Sequence, residues 1–254
     1  MKNELDLIFP DWSAPDNVCG FSTTRYGGVS PHPYHGRRIS EGGLNLAMHV
    51  GDMVDCVEQN RNRIRQWLPN EPLWLNQVHG TTVVRVESVS GLPDADASFS
   101  TKRHAICLVQ TADCLPVLFC DTAGRVVAAA HAGWRGLAKG ILEETLRSMR
   151  RYGAGEILAW LGPAIGPDHF EVGTDVLEVF VAGDKDNRRY FKPQIEKPGK
   201  YLADIYALAR KILEKHDVRK ISGGNFCTVS DAARFYSYRR DGITGRMASC
   251  IWLR

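Results

Sequence analysis

Apolar residues recur at helical spacing in three stretches of the chain. Residues 53–68 place Val54, Val57, Ile64, Trp67 and Leu68 on one side, with Asp52 as candidate N-cap and Pro69 as the stop. Residues 136–152 align Leu137, Ile141, Leu142, Leu146 and Met149 and end near Gly153. Residues 201–216 repeat the pattern with Ile205, Leu208, Ala209 and Ile212, and a shorter helix is predicted around 175–181. Short apolar runs predict strands at 73–78, 82–87, 105–110, 115–120, 125–130, 156–161 and 247–253. Several are joined by turns too short for a crossover, which demands antiparallel pairing, while the long helices elsewhere permit parallel pairs. The expected fold is α+β: a single domain over residues 1–254, of mixed, largely antiparallel sheets flanked by helices. The longest irregular stretch, 26–43, holds two Gly pairs, Pro31, Pro33, His32 and His35, and suits a functional loop or lid.

Composition narrows the partners. Apolar residues make up 44% and charged residues 24% of the 254, with 32 basic against 29 acidic side chains, a net +3. That balance excludes intrinsic disorder. No apolar run approaches the roughly 20 residues of a membrane span, so no membrane partner is expected. Arg37-Arg38, Arg150-Arg151, Arg188-Arg189 and Arg239-Arg240 form no stripe, so nucleic acid is not an expected partner either. Residues 1–6 carry acids and no apolar core, which predicts no secretory signal and a cytoplasmic location. The seven cysteines, without C-x-x-C, are then expected to be reduced, and their odd number leaves room for a chemical role.

The segment Thr111-Ala112-Asp113-Cys114 through His131 reads as a hairpin. A two-residue loop at Thr122-Ala123 would set Cys114 directly opposite His131, within reach of one metal ion. A three-residue loop with a bulge at Gly124 would move the register by one. His79, ending the apolar run Asn76-Gln77-Val78, is the candidate third ligand. One thiolate and two imidazoles with an open fourth position is the donor pattern of catalytic zinc. The alternative is a buried cysteine and two structurally satisfied histidines. The next turn, Ala132-Gly133-Trp134-Arg135-Gly136, offers free N–H groups and an Arg as an anion cradle, or is an ordinary strand-to-helix turn.

Asn76-Gln77-Val78-His79-Gly80, Thr111-Ala112-Asp113-Cys114, His131-Ala132-Gly133-Trp134-Arg135-Gly136 and Phe235-Tyr236-Ser237-Tyr238-Arg239-Arg240-Asp241-Gly242 resemble the motifs of the laccase-domain family. Thr23-Thr24-Arg25-Tyr26-Gly27-Gly28-Val29-Ser30 and Leu44-Asn45-Leu46-Ala47 are similar to its N-terminal motifs. The family carries an older label of multicopper polyphenol oxidase and a newer one of purine nucleoside phosphorylase. The resemblance implies an α+β fold and zinc at His79, Cys114 and His131. It also implies phosphorolysis of adenosine, inosine, guanosine and methylthioadenosine, and deamination of adenosine, with purine nucleosides and phosphate as partners. Some bacterial relatives are described as peptidoglycan editing factors that remove a misincorporated serine from a UDP-muramoyl precursor.

Chemistry weighs against the older label. A blue multicopper oxidase needs about ten histidines, many in H-x-H pairs. The chain has eight and no such pair, although one adventitious copper could take the zinc position. For deamination, the carboxylate nearest in sequence to the metal ligands is Asp113. For phosphorolysis, Arg25, Arg135 and Arg240 are candidate phosphate or ribose contacts, and Gln77 and Asn45 candidate base or ribose contacts. A metal-free cysteine hydrolase, with Cys114 as nucleophile and His131 or His79 as base, uses the same three residues. So does a zinc-bearing binding module, but that class closes its site with a fourth ligand that no residue here supplies at a convincing spacing. Oligomeric state is not legible.

Overall fold

The computed structural model describes residues 5–254. Residues 1–4, part of the stretch expected to lack an export signal, lie outside the described residues. Its centre is the hairpin Leu115–Asp121 and Val127–Ala132, whose residues are all buried. A strand apolar on both faces must be covered on both faces. One face, with Val117, Phe119, Ala128 and Ala130, packs on Leu137, Ile141, Leu142, Leu146 and Met149 of the helical layer. The other, with Leu118, Cys120, Val127 and Ala129, packs on Cys107, Val109, Met247 and Ile251 of a second sheet.

The hairpin lies inside a six-stranded mixed sheet, in the order Lys220–Gly223, Ile157–Leu161, Leu115–Asp121, Val127–Ala132, Ala97–Ser100, Val83–Arg85. Only its two outermost pairs are parallel. The second sheet runs Leu7–Ile8, Val18–Thr23, Met247–Leu253, Cys107–Thr111 and is antiparallel throughout. Helix Val54–Arg65 contributes Ile64 to the core on that sheet's outer face, beside Phe21, Leu108 and Trp252. Helix, sheet, sheet and helix thus stack as α+β layers. Among the described residues no helix is long and apolar enough to cross a membrane.

Several expectations shift. The hairpin register pairs Pro116 with His131 and Cys120 with Val127, so Cys114 is not directly opposite His131. The cause is a longer loop, closed by the buried Asp121 carboxylate, which accepts the N–H groups of Arg125 and Val126 at 2.6 and 3.0 Å. A slip of two residues preserves the face, so the side chains still meet. The helix expected at 136–152 is two, Trp134–Lys139 and Ile141–Arg151, broken at Gly140, whose φ of 98° is costly for any residue with a Cβ. The helix expected from 201 begins at Ile205, because Asp204 caps the Ala207 N–H and Lys200–Ala203 is drawn into a small sheet. Asp52 is not the cap of helix Val54–Arg65; its carboxylate instead accepts from Met53 N–H and Asn45 Nδ2. Residues 73–78 make only isolated bridges at Leu73 and Asn76, since the Gln77 side chain takes up the Gln110 backbone N–H and C=O. Stretch 26–43 begins as strand Tyr26–Ser30, and the Arg25 guanidinium holds its far part by the His35 carbonyl.

Candidate metal centre and its cleft

Strand Cys107–Thr111 belongs to one sheet and Leu115–Asp121 to the other, so the chain crosses between them at Ala112-Asp113-Cys114. Asp113 makes the corner at φ 92°. Its carboxylate accepts the Thr228 hydroxyl and the Arg239 N–H, both at 2.6 Å, and its carbonyl accepts the Ile165 N–H. Cys114 therefore emerges where the two sheets part. Opposite it the chain at His79 turns at φ 57°, another left-handed non-glycine residue. Such conformations cost free energy and persist where surrounding bonds hold them.

The holding group is Asp96. This fully buried carboxylate accepts the N–H groups of His79 and Gly80 at 2.9 and 2.6 Å, and His131 Nδ1 at 2.8 Å. The Asp96 carbonyl also accepts the His131 N–H. Burial by itself would raise the Asp96 carboxyl, but the His131 bond and the Gly80 N–H more than offset it and hold it below its usual range. With Nδ1 bonded to a carboxylate, Nε2 of His131 is the nitrogen left for a ligand, the usual support of a metal-bound imidazole.

His79, Cys114 and His131 present one donor atom each, all within 4.8 Å of one another, and Cys114 Sγ lies 3.9 Å from His79 Nε2. A tetrahedral zinc site spaces such atoms by about 3.3–3.6 Å, so the group can hold a metal with small side-chain movements. Gly133 confirms how closely the three converge. A Cβ there would lie 2.9 Å from Cys114 Sγ, 3.1 Å from His79 Cδ2 and 3.4 Å from His131 Nε2. Burial would push the Cys114 thiol up, but His131 beside it and hydrogen bonds with both imidazoles bring it down to about 6. His131 is driven the other way, to about 9: burial opposes its charge, and Cys114 and Asp96 outweigh burial.

Two cavities share this centre. One, of about 360 Å³, adds His49, Gln77, Gln110, Thr111 and Arg246 to the three donors. The other, of about 240 Å³, adds Asp113, Trp134, Arg135, Ile165, Phe170 and Ile205 to His79 and Cys114. Ala112 and Tyr238 border both, and Tyr238 is 62% exposed at the mouth. The first lobe gathers imidazole, carboxamide and guanidinium groups around the centre. Arg246 Nη1 is tied to the Thr244 and Gly245 carbonyls, and the Gln110 carboxamide Nε2 is buried without a partner. The second lobe joins the aromatic and aliphatic side chains Trp134, Phe170, Ile165 and Ile205 to the charged Asp113, Arg135 and Arg239.

The sequence candidates divide accordingly. His79, Cys114 and His131 come together, and Gln77, Asp113 and Arg135 line the cleft. Asn45 is fully buried, bonding Ala47, Asp52 and the Arg246 N–H. Arg25 and Arg240 line a different cavity, and their guanidiniums are occupied by carbonyls and, for Arg240, by Asp241. No residue of 26–43 lines either lobe, so the stretch is not a lid over the centre in this conformation. Sequence reasoning missed Asp96, His49, Gln110 and Arg246. The signal for Asp96 was an acid set between alanines, Ala95 and Ala97, at the start of a buried strand. The other three carried no local signal.

The chain is similar to known proteins over nearly its whole length. A family model described as multi-copper polyphenol oxidoreductase laccase matches residues 19–254. The chain is 52% identical over 247 residues to the Pseudomonas aeruginosa protein named purine nucleoside phosphorylase PA4543, covering 97% of this chain and 98% of that protein. It is 51% identical over 253 residues to the Escherichia coli protein named purine nucleoside phosphorylase YfiH, with the same coverage. The crystal structure of Neisseria meningitidis protein NMB0706 superposes with a TM-score of 0.90 at 49% identity, covering 98% of this chain and 99% of that one.

Proposed function

The chain belongs to the multi-copper polyphenol oxidoreductase laccase family, and on that premise we propose that it is a zinc-dependent purine nucleoside phosphorylase. Its substrates in this reading are adenosine, inosine and guanosine with phosphate, and it also deaminates adenosine and cleaves methylthioadenosine. The observation that carries the reading is one three-donor centre between two lobes, one bringing imidazole, carboxamide and guanidinium groups to it and the other the aromatic and aliphatic side chains Trp134, Phe170, Ile165 and Ile205. A two-substrate reaction needs such a division, with an anion and a flat base meeting at one point. The relatives' phosphorylase names agree with it.

His79, Cys114 and His131 would hold the metal, which supplies Lewis-acid polarisation in the cleft. Arg246 lines the same lobe as the three donors, with His49 adjoining, and in this reading takes the phosphate role expected of Arg25 and Arg240. Arg135 serves the opposite lobe. The lobe of Trp134, Ile165, Phe170 and Ile205 receives the purine and excludes water from it. Gln110 Nε2 donates to a substrate acceptor, which removes the cost of a buried unpaired amide. Both Asp113 carboxylate oxygens are already bonded, so Asp113 positions Cys114 rather than moving a proton.

A second reading is an amidase editing UDP-muramoyl-serine precursors. The observation that favours it is the order Cys114, His131, Asp96, with His131 Nδ1 2.8 Å from Asp96, which is also that of a cysteine hydrolase. Chromatography separates the two. Phosphate-dependent release of free base from inosine or adenosine, lost on chelation and restored by zinc, is the expected result. Hydrolysis of UDP-muramoyl-serine without nucleoside turnover, persisting after chelation, overturns the proposal in favour of the amidase. A cytoplasmic location accords with either substrate.

A further inference from the structure

We propose a second binding site, for the phosphate group of a small phosphomonoester, in the cavity between residues 32–37 and the segment around Arg240. This cavity measures about 640 Å³, larger than either lobe of the cleft, and shares no lining residue with them. Its volume lies within the usual range of small-molecule sites, about 300–1,000 Å³. The inference does not rest on the proposed phosphorylase activity.

Charge decides what the cavity takes. Its lining includes Arg25, Arg37, Arg240, His32 and His35 against one carboxylate, Asp241. Asp241 is paired with Arg240 at 2.7 Å. Arg25 is buried, 5% exposed, and its guanidinium donates only to the His35 and Ala232 carbonyls. Those dipoles satisfy its hydrogen bonds without cancelling its charge, in a place where water screens poorly. Arg37 is exposed at the rim. The rings of His32 and His35 are stacked at 5.2 Å, and His35 Nδ1 is buried.

Two histidines three apart suggest a metal site by spacing alone, but the neighbouring guanidiniums repel a cation. The same field attracts an anion, and the stacked imidazoles with the Arg37 fork are donors suited to phosphate oxygens. Burial, then the charges of Arg25 and His32, lower the His35 imidazole, while Asp241 and the Pro33 backbone oppose them weakly. A bound anion relieves that repulsion. Pro33, Ala232, Ala233 and Ile243 supply apolar wall for the organic part of the ligand. A phosphomonoester uses both surfaces, whereas free phosphate uses only the first.

The test is calorimetric titration of the full chain with adenosine monophosphate and, separately, inorganic phosphate. It is run on wild type, Arg37→Ala, the double variant His32→Ala/Arg37→Ala, and Arg246→Ala. The expected result is adenosine monophosphate binding that weakens at least tenfold in the double variant and survives Arg246→Ala. Circular dichroism and metal content should be unchanged in the exposed-residue variants. Phosphate competing for the same site, at weaker affinity, supports the assignment of the headgroup. Affinity for adenosine monophosphate unchanged by the double variant, or abolished by Arg246→Ala alone, overturns the site. Tighter binding of phosphate than of the monoester at this site overturns the assigned ligand class.

Discussion

The two ends of the central hairpin use the same parts for opposite purposes. At the closed end the buried Asp121 gathers the Arg125 and Val126 N–H groups, and Cys120 stands beside it. At the open end the buried Asp96 gathers the His79 and Gly80 N–H groups, and Cys114 stands across from it. Cys120 faces the dry core between the sheets, where burial pushes its thiol up to about 12. Cys114 is half-buried at the cleft, and although burial pushes its thiol up too, it falls to about 6. Burial therefore does not by itself make a thiol inert. What differs is two imidazoles, one of them held by a carboxylate, where the sheets separate enough to admit a ligand.

The largest predicted contrast is between the cysteines. Cys114→Ala should remove the metal and lower phosphorolysis by about 10³-fold or more, given several kcal/mol of Lewis-acid stabilisation. Cys120→Ala should keep both metal and activity, losing about 1–2 kcal/mol of stability from a small core deletion. Elemental analysis and steady-state rates on the two purified variants decide it. Equal metal content in both would break the comparison.

Next come the carboxylates. Asp96→Asn should weaken metal affinity by about 10–100-fold, since it both frees His131 and loosens the His79 turn. Asp121→Asn should leave affinity alone and cost about 2 kcal/mol, a fall of roughly 4–8 °C in Tm. Chelator competition and thermal melts read the two effects separately. Gly133→Ala tests the crowding of the donors: a methyl 2.9 Å from Cys114 Sγ should cost about tenfold in metal affinity with an intact fold. Undiminished affinity there would mean that the three side chains leave room for a methyl group between them.

Much of the closed end was legible in the sequence, because apolar runs and a turn are local signals. The register was misjudged by two residues, since the loop length depends on what the Asp121 carboxylate bonds. Cys114 and His131 could still be associated, because a slip of two keeps every side chain on its face. The rest of the open end was less legible for a physical reason. Asp96 acts through backbone N–H groups 16 and 17 positions earlier in the chain, and Arg246 and His49 reach the cleft from remote segments. Arg25 and Arg240 drew attention as cations, yet carbonyls engage their guanidiniums away from the centre. Charge is visible in a sequence, and the engagement of its hydrogen-bond donors by carbonyls is not.

The smallest prediction uses a third gathering carboxylate that has no metal ligand near it. Glu87 accepts the Ser100 hydroxyl and the Thr101 and Lys102 N–H groups with one oxygen, and pairs with Arg85 through the other. Burial would raise its carboxyl, and the Ser100 and backbone hydrogen bonds outweigh burial and lower it. A folded value below the unfolded one makes the bound charge stabilising above the unfolded pKa. That contribution is lost as pH falls through the folded value, so it disappears on the acid side of about pH 4.5. Glu87→Gln should lower stability by about 1 kcal/mol at neutral pH and by less in acid, narrowing the gap to wild type as pH falls. Metal content should not change at any pH where both proteins are folded. Melting curves between neutral and acid pH would show the two proteins converging; a constant gap would mean that Glu87 acts through packing rather than charge.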